Sequence, residues 1–400
     1  MRTNMERPNG QSGLGSSERH ALVANPHHAS GFPSPSGESD PLPVWVLPEV
    51  ELNHLLDLTD DTGLLQHAVF DIPNYQEGYT TDDNARAAML ALLLEPYRNE
   101  DIQSVRAFLR NTPRYVAVLF FAFNRSNGRF RNFLSYDRRW LEEAGSEDSH
   151  GRAVRTLGMM AAQAASQSQR EAAQWLFKEA LPTVIRFTSP RAWASAILGI
   201  IEFSARSALT RSPFEQYVRG TGEMLAGRLL ELYRNNATND WPWFEEILTY
   251  ANAELPQALV TAGRWMEDVE MLDIGLQSLD WIVRQQHSGS GCFSPIGTDG
   301  FYARNGKRSH WDQQPIEAYS TIVAAIAAFH ATGDTRWRNE AEIAFHWFLG
   351  ANDLGLQVCD PQTGACFDGL HPDRVNRNKG AESTLCYALS LVAMRGANES

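Results

Sequence analysis

Along the chain, two kinds of helical segment alternate. One kind is Ala- and Gly-rich and apolar over most of its circumference. These segments begin near Thr81 (TDDNARAAMLALLL), Asp148 (DSHGRAVRTLGMMAAQAA), Ser189 (SPRAWASAILGII), Asn252 (NAELPQALVTAGRW), Asp312 (DQQPIEAYSTIVAAIAA) and Ala381 (AESTLCYALSLVAM). The other kind is amphipathic, with charges on one face, over roughly residues 48–58, 101–124, 168–187, 212–236, 267–287 and 334–350. A helix apolar all round is buried, and an amphipathic one lies at a surface. The alternation therefore predicts helical hairpins, each burying its apolar face only against its neighbours. Closed on itself, such an array gives an inner ring of helices wrapped by an outer ring. The expected fold is all-α, an (α/α)6 toroid, because an open solenoid would leave one side of its Ala-rich helices uncovered. Strand signals are scarce, and the pieces at 128–136 and 291–297 are the candidates for short hairpins within loops.

Residues 1–44 break this pattern. They are rich in Ser, Gly, Pro, His and Asn without apolar periodicity, a composition that cannot offset the entropy of ordering. The expectation is a disordered leader at 1–44 followed by a single domain over 45–400.

Composition narrows the partners. Hydrophobic residues make up 43% of the 400 residues, enough for one large core. The formal net charge of −13 disfavours nucleic acid and anionic membrane surfaces, while tolerating a neutral ligand such as a sugar. The four cysteines include no CxxC pair and no zinc spacing; no loop has calcium-site spacing, so neither metal nor cofactor is expected. No signal-peptide or membrane-span run is present, and a cytoplasmic location is the default expectation.

Candidate chemistry collects in the long loops that precede the apolar helices, which a closed ring would gather at one mouth. Asp82 and Asp83 stand at the first apolar helix start, with Arg86 one turn on. Glu147 and Asp148 repeat the pattern, followed by His150 and Arg152, and Asp312 stands before Gln313, Gln314 and Glu317. Capping accounts for one acid at a helix start, but adjacent pairs at two starts, and acidic starts at three, are more than caps require. Cleavage of a glycosidic bond needs two carboxyl groups. Asp82, Asp83, Asp148 and Asp312 are thus the catalytic candidates. Aromatic and polar residues of the same loops fit a sugar site. Trp140, Trp241, Trp243, Tyr302 and Trp311 offer flat apolar faces, and Arg86, Asp137, Arg138, Glu147, Arg152, Glu245, Gln313, Gln314 and Glu317 offer hydrogen bonds. His150, His310 and His371 are candidate proton shuttles.

The run TTDDNAR before an Ala-rich helix resembles the Asp-Asp element of helical endo-α-mannanases and other (α/α)6 glycosidases. The wider set FRNFLSYDRRW, GSEDSHGR, FTSPRAWA, DWPWFEEILTY and WDQQPIEA resembles a bacterial helical domain family of unassigned activity, found alone or fused to glycosyltransferases. The first resemblance implies a glycoside hydrolase with Asp82 and Asp83 as nucleophile and acid/base. A related glycoside phosphorylase belongs to the same expectation, with a bacterial oligosaccharide as substrate. The second implies a glycosyltransferase as a partner. The alternatives are a sugar epimerase or isomerase using a histidine base, and a non-catalytic glycan-binding or scaffolding domain.

Overall fold

A computed structural model describes residues 47–206 and 212–399; the segment expected as a leader lies outside them. From Leu47 onward the chain forms one compact unit. Its helices in chain order are α1 (Asn53–Asp57), α2 (Thr81–Leu93), α3 (Gln103–Arg110) and α4 (Thr112–Ala122). Then come α5 (Glu147–Gln163), α6 (Gln167–Val184), α7 (Pro190–Arg206), α8 (Pro213–Asn236) and α9 (Glu254–Met266). The last are α10 (Val269–Gln285), α11 (Pro315–Thr332), α12 (Arg336–His346) and α13 (Ala381–Glu399).

The apolar helices α2, α5, α7, α9, α11 and α13 pack side by side in that order, and α13 returns to pack on α2. This closes the ring. Outside it, α4 lies on α2, α6 on α5, α8 on α7, α10 on α9, α12 on α11 and α1 on α13. The (α/α)6 toroid expected from the alternation is the fold observed. Inner helices touch almost backbone to backbone: a Cβ at Gly158 would lie 2.2 Å from the carbonyl oxygen of Gly199. Only glycine at both positions allows α5 and α7 to approach this closely. None of the described helices is long and apolar enough to cross a membrane.

Local chemistry sets the helix ends. Thr80 caps α2 by accepting from the Asp83 amide at 3.0 Å, and Ser146 caps α5 by accepting from that of Ser149. Pro315 opens α11, and Gly333 at φ 70° ends it in the left-handed conformation. Two outer segments depart from the expected lengths. Residues 48–58 hold only the short α1, and 101–124 divides into α3 and α4 at Asn111, where Pro113 stands in the first turn of α4. Pro lacks the amide that would continue the preceding helix.

Among the described residues the strands are all two-residue pairs in the loops. The 128–136 piece does not pair with itself. Arg129–Phe130 pairs with Phe123–Asn124, and Phe133–Leu134 pairs with Tyr79–Thr80, tying the loop before α5 to the start of α2. The 291–297 piece forms a single bridge, His287 to Phe293.

Candidate active site at the inner-helix starts

A cavity of about 560 Å³ opens where α2, α11 and α13 begin. The α2 side supplies Gln66, His67, Thr80, Asp82 and Asp83, with Phe133 from the paired strand and Asn132 just before it. The loop before α11 and the first residue of that helix supply Asp312, Gln314 and Pro315, the loop before α13 supplies Asp368, His371, Asn376 and Gly380, and the first turn of α13 supplies Glu382 and Ser383. The volume falls in the range of sites for small organic ligands. Of the four catalytic candidates, Asp82, Asp83 and Asp312 line this cavity.

Its floor is an ionic network. Asp82 Oδ2 accepts from Arg152 at 2.5 Å and lies 3.5 Å from Arg86. The Arg86 guanidinium also pairs with Asp83 at 3.3 Å and with Glu382 at 3.0 Å, joining the first inner helix to the last. Arg86 is only 4% exposed, so its charge is sustained by this ring of acids rather than by water. Asp82 Oδ1 is buried without a hydrogen-bond partner among the described residues, an unmet acceptor at the floor.

Asp83 sits deeper than Asp82. Thr80 donates its hydroxyl to Asp83 Oδ2 at 2.6 Å while the Asp83 amide donates back to Thr80. Burial pushes the Asp83 carboxyl up to about 7, against the opposing pull of Arg86 and with the neighbouring charges of Asp82 and Glu382 adding to the rise. Such a group can be protonated near neutral pH.

Asp312 approaches the cavity from the other side of the α13 start. It adopts φ 59°, a left-handed backbone, and receives the Thr298 hydroxyl on Oδ2. Its Oδ1 lies 3.7 Å from His371 Nδ1, and both side chains are about one-third exposed, at 35% and 29%. The Asp312 carboxyl, the partly exposed His371 and a second histidine, His67, thus share one cavity.

The other expected site residues are placed elsewhere, each for a physical reason. Asp148 is buried and receives hydroxyls from Ser189 and Tyr250, so it is consumed in holding α7 and the loop before α9 rather than lining the cavity. Glu147 accepts the Thr188 and Ser189 amides at 2.7 Å each, serving the start of the neighbouring inner helix. His150 is fully buried between the Phe130 amide and the Ala180 carbonyl. Burial pulls it down to about 3, which removes it as a proton shuttle near neutral pH.

Glu245 pairs with Arg191 at 2.9 Å. Glu317 is buried, accepts the Ala251 and Asn252 amides and the Asn252 side chain, and is raised by burial to about 7. Gln313 bonds Asp353, the His310 carbonyl and Trp347. Trp241 and Trp243 are core residues stacked edgewise or tilted around Trp281, with Tyr302 against Trp241 at 5.2 Å. Trp140 packs on Phe121, and Trp311 is half-buried, its backbone lying against Gly297. Asp137 pairs with Arg139, and Arg138 with Asp61, on the exposed loop. Large aromatics gain more from filling the seams between loops than from solvent exposure, which explains the tryptophans.

Sequence reasoning passed over His67, Asp368 and Glu382. Glu382 carried a usable signal, an acid at the start of the sixth apolar helix. His67 and Asp368 lie in loops without periodicity, where nothing marks them. Among the described residues no group of three or more His, Cys, Asp or Glu is arranged to hold a metal.

No family model matches the chain, and no curated protein matches it in sequence. Solved structures match in fold. A cellobiose 2-epimerase from Bacillus thermoamylovorans superposes with a TM-score of 0.67 at 11% identity, covering 88% of this chain and 96% of the epimerase. A D-mannose isomerase gives 0.58 at 14% identity, over 85% and 94% of the two chains. A GH76 α-mannanase of Bacteroides thetaiotaomicron gives 0.52 at 11%, over 81% and 87%.

Proposed function

We propose that the cavity binds a carbohydrate and cleaves a glycosidic bond in it, with Asp83 as proton donor and Asp312 as the base or nucleophile. One observation carries this reading: a carboxyl raised towards neutrality and a second, solvent-reaching carboxylate line one cavity from different inner-helix starts. Glycoside cleavage needs a protonated carboxyl at the leaving oxygen and an ionised one for water or the anomeric carbon. Asp82, held by Arg152 and Arg86, is assigned to binding hydroxyls at the floor. The resemblance of TTDDNAR to the Asp-Asp element of helical mannanases supports Asp83 as one of the two carboxyls, with Asp82 rather than Asp312 as its partner in that element. The test is incubation with α- and β-linked manno- and gluco-oligosaccharides, following new reducing ends. Asp83→Asn and Asp312→Asn should each lose about 10²–10⁴-fold in turnover without a drop in melting temperature. Full activity in both variants on a confirmed substrate overturns the assignment.

A second reading is epimerisation or isomerisation of a sugar. It is favoured by His67 and His371 in the same cavity, the latter beside Asp312, and by the epimerase and isomerase folds matched over most of their length. Here His371 would remove a proton beside a carbonyl and His67 return one. Recovery of sugar deuterated at carbon from D₂O, with no new reducing ends, selects this reading over hydrolysis.

A further inference from the structure

The loop between α1 and α2 presents an apolar tip to solvent beside the cavity. Val69, Phe70 and Ile72 are 50%, 51% and 66% exposed, on a hairpin in which Ala68–Val69 pairs with Ile72–Pro73. Phe70 has φ 57°, a left-handed backbone that a bulky residue rarely adopts and that costs energy to hold. The segment leading into α13 holds it there. The Phe70 amide donates to Asn378 Oδ1 at 3.0 Å, and its carbonyl accepts from the Lys379 amide at 2.9 Å. The Arg377 guanidinium stacks over the ring at 5.3 Å. Both flanks of this clamp line the cavity: Gln66 and His67 on one side, Asn376 and Gly380 on the other. An exposed ring under a guanidinium, on a strained backbone held by the Asn378 side chain and the Lys379 amide, is not explained by packing.

We infer that Phe70 and Arg377 form a rim platform that stacks a further sugar unit of the bound chain, so that the ligand is an oligosaccharide extending out of the cavity. The inference rests on the carbohydrate reading of the cavity and deepens it. An aromatic face takes the C–H face of a pyranose, and the adjacent guanidinium donates to hydroxyls or to an acidic substituent. Continuity with the cavity wall selects a glycan over a protein segment as occupant, because the same two loops bound both.

Calorimetric titration with manno- and gluco-oligosaccharides of two to six units (roughly the span from a short to a long chain on a site of this size) tests it in the full-length protein. Affinity should rise with chain length in one series and then level. Phe70→Ala should erase about a tenfold part of that gain and leave the shortest binding member within twofold. Phe70→Gly should do the same while keeping or raising the melting temperature, since glycine takes this backbone without strain. A length-independent affinity, an equal loss at every length, or no binding by any member overturns the platform. Length-dependent binding that Phe70→Ala abolishes, without turnover of any member, sustains the platform and instead sinks the hydrolytic reading.

Discussion

Two inner helices begin with paired acids, and their fates differ. At the start of α2, Asp82 and Asp83 face the cavity, one gripped by guanidiniums and the other buried beneath. At the start of α5, Glu147 caps the next inner helix and Asp148 receives two hydroxyls from neighbouring segments. The local sequences are alike; the neighbours are not. Arg86 and Arg152 converge on the α2 start, while α5 meets Ser189 and Tyr250. The acid among cations and open space retains an oxygen without a hydrogen-bond partner among the described residues, and the acid among hydroxyls and amides becomes a fastener. Paired acids at a helix start therefore mark a place where charge is tolerated, and only the ring decides which pair faces the cavity.

The comparison breaks most visibly in turnover. Asp83→Asn should reduce kcat/KM by about three orders of magnitude, within the usual range for a general acid, while Asp148→Asn should leave it within tenfold. The pH profile sharpens the same point. If Asp83 donates the proton, its acid form is present below about 7 and is lost as the pH rises through that value, so kcat/KM should fall on the alkaline side. Asp83→Asn should flatten that limb along with the rate.

Stability effects come next. Arg152→Ala strands Asp82 against a single remaining guanidinium in a largely buried network, and should cost about 3–5 kcal/mol in chemical denaturation. Asp148→Ala leaves the Ser189 and Tyr250 hydroxyls without their acceptor, and should cost about 1–3 kcal/mol. Equal losses of turnover from Asp83→Asn and Asp148→Asn would erase the distinction between the two starts. At the small end, Arg138→Ala on the exposed loop should change neither melting temperature nor turnover measurably, since exposed ion pairs contribute little.

How much of this was legible beforehand follows from range. The six apolar helices and their closure are legible in Ala- and Gly-rich runs such as 148–165, because burial on all sides leaves a local compositional trace. The site is only partly so. Asp82, Asp83, Asp312 and Gln314 are found by their place at helix starts, and Glu382 follows the same rule. Trp241 and Trp243 read as sugar platforms because the loop that holds them is rich in acids, yet their indoles fill the seam beside Trp281. His150 reads as a shuttle, but Phe130 and Ala180, far along the chain, enclose it. No local pattern records which partner will arrive from a distant loop.

The Arg86–Glu382 pair spans the first and last inner helices, and Asp368 and His371 reach the cavity just ahead of that last helix. During synthesis the acids of α2 emerge some three hundred residues before the carboxylate that completes Arg86's surroundings. Until α13 docks, a buried guanidinium lacks one of its counter-charges and the cavity lacks a wall. The cavity and the ionic network on its floor are thus completed by the last helix of the ring to be synthesised.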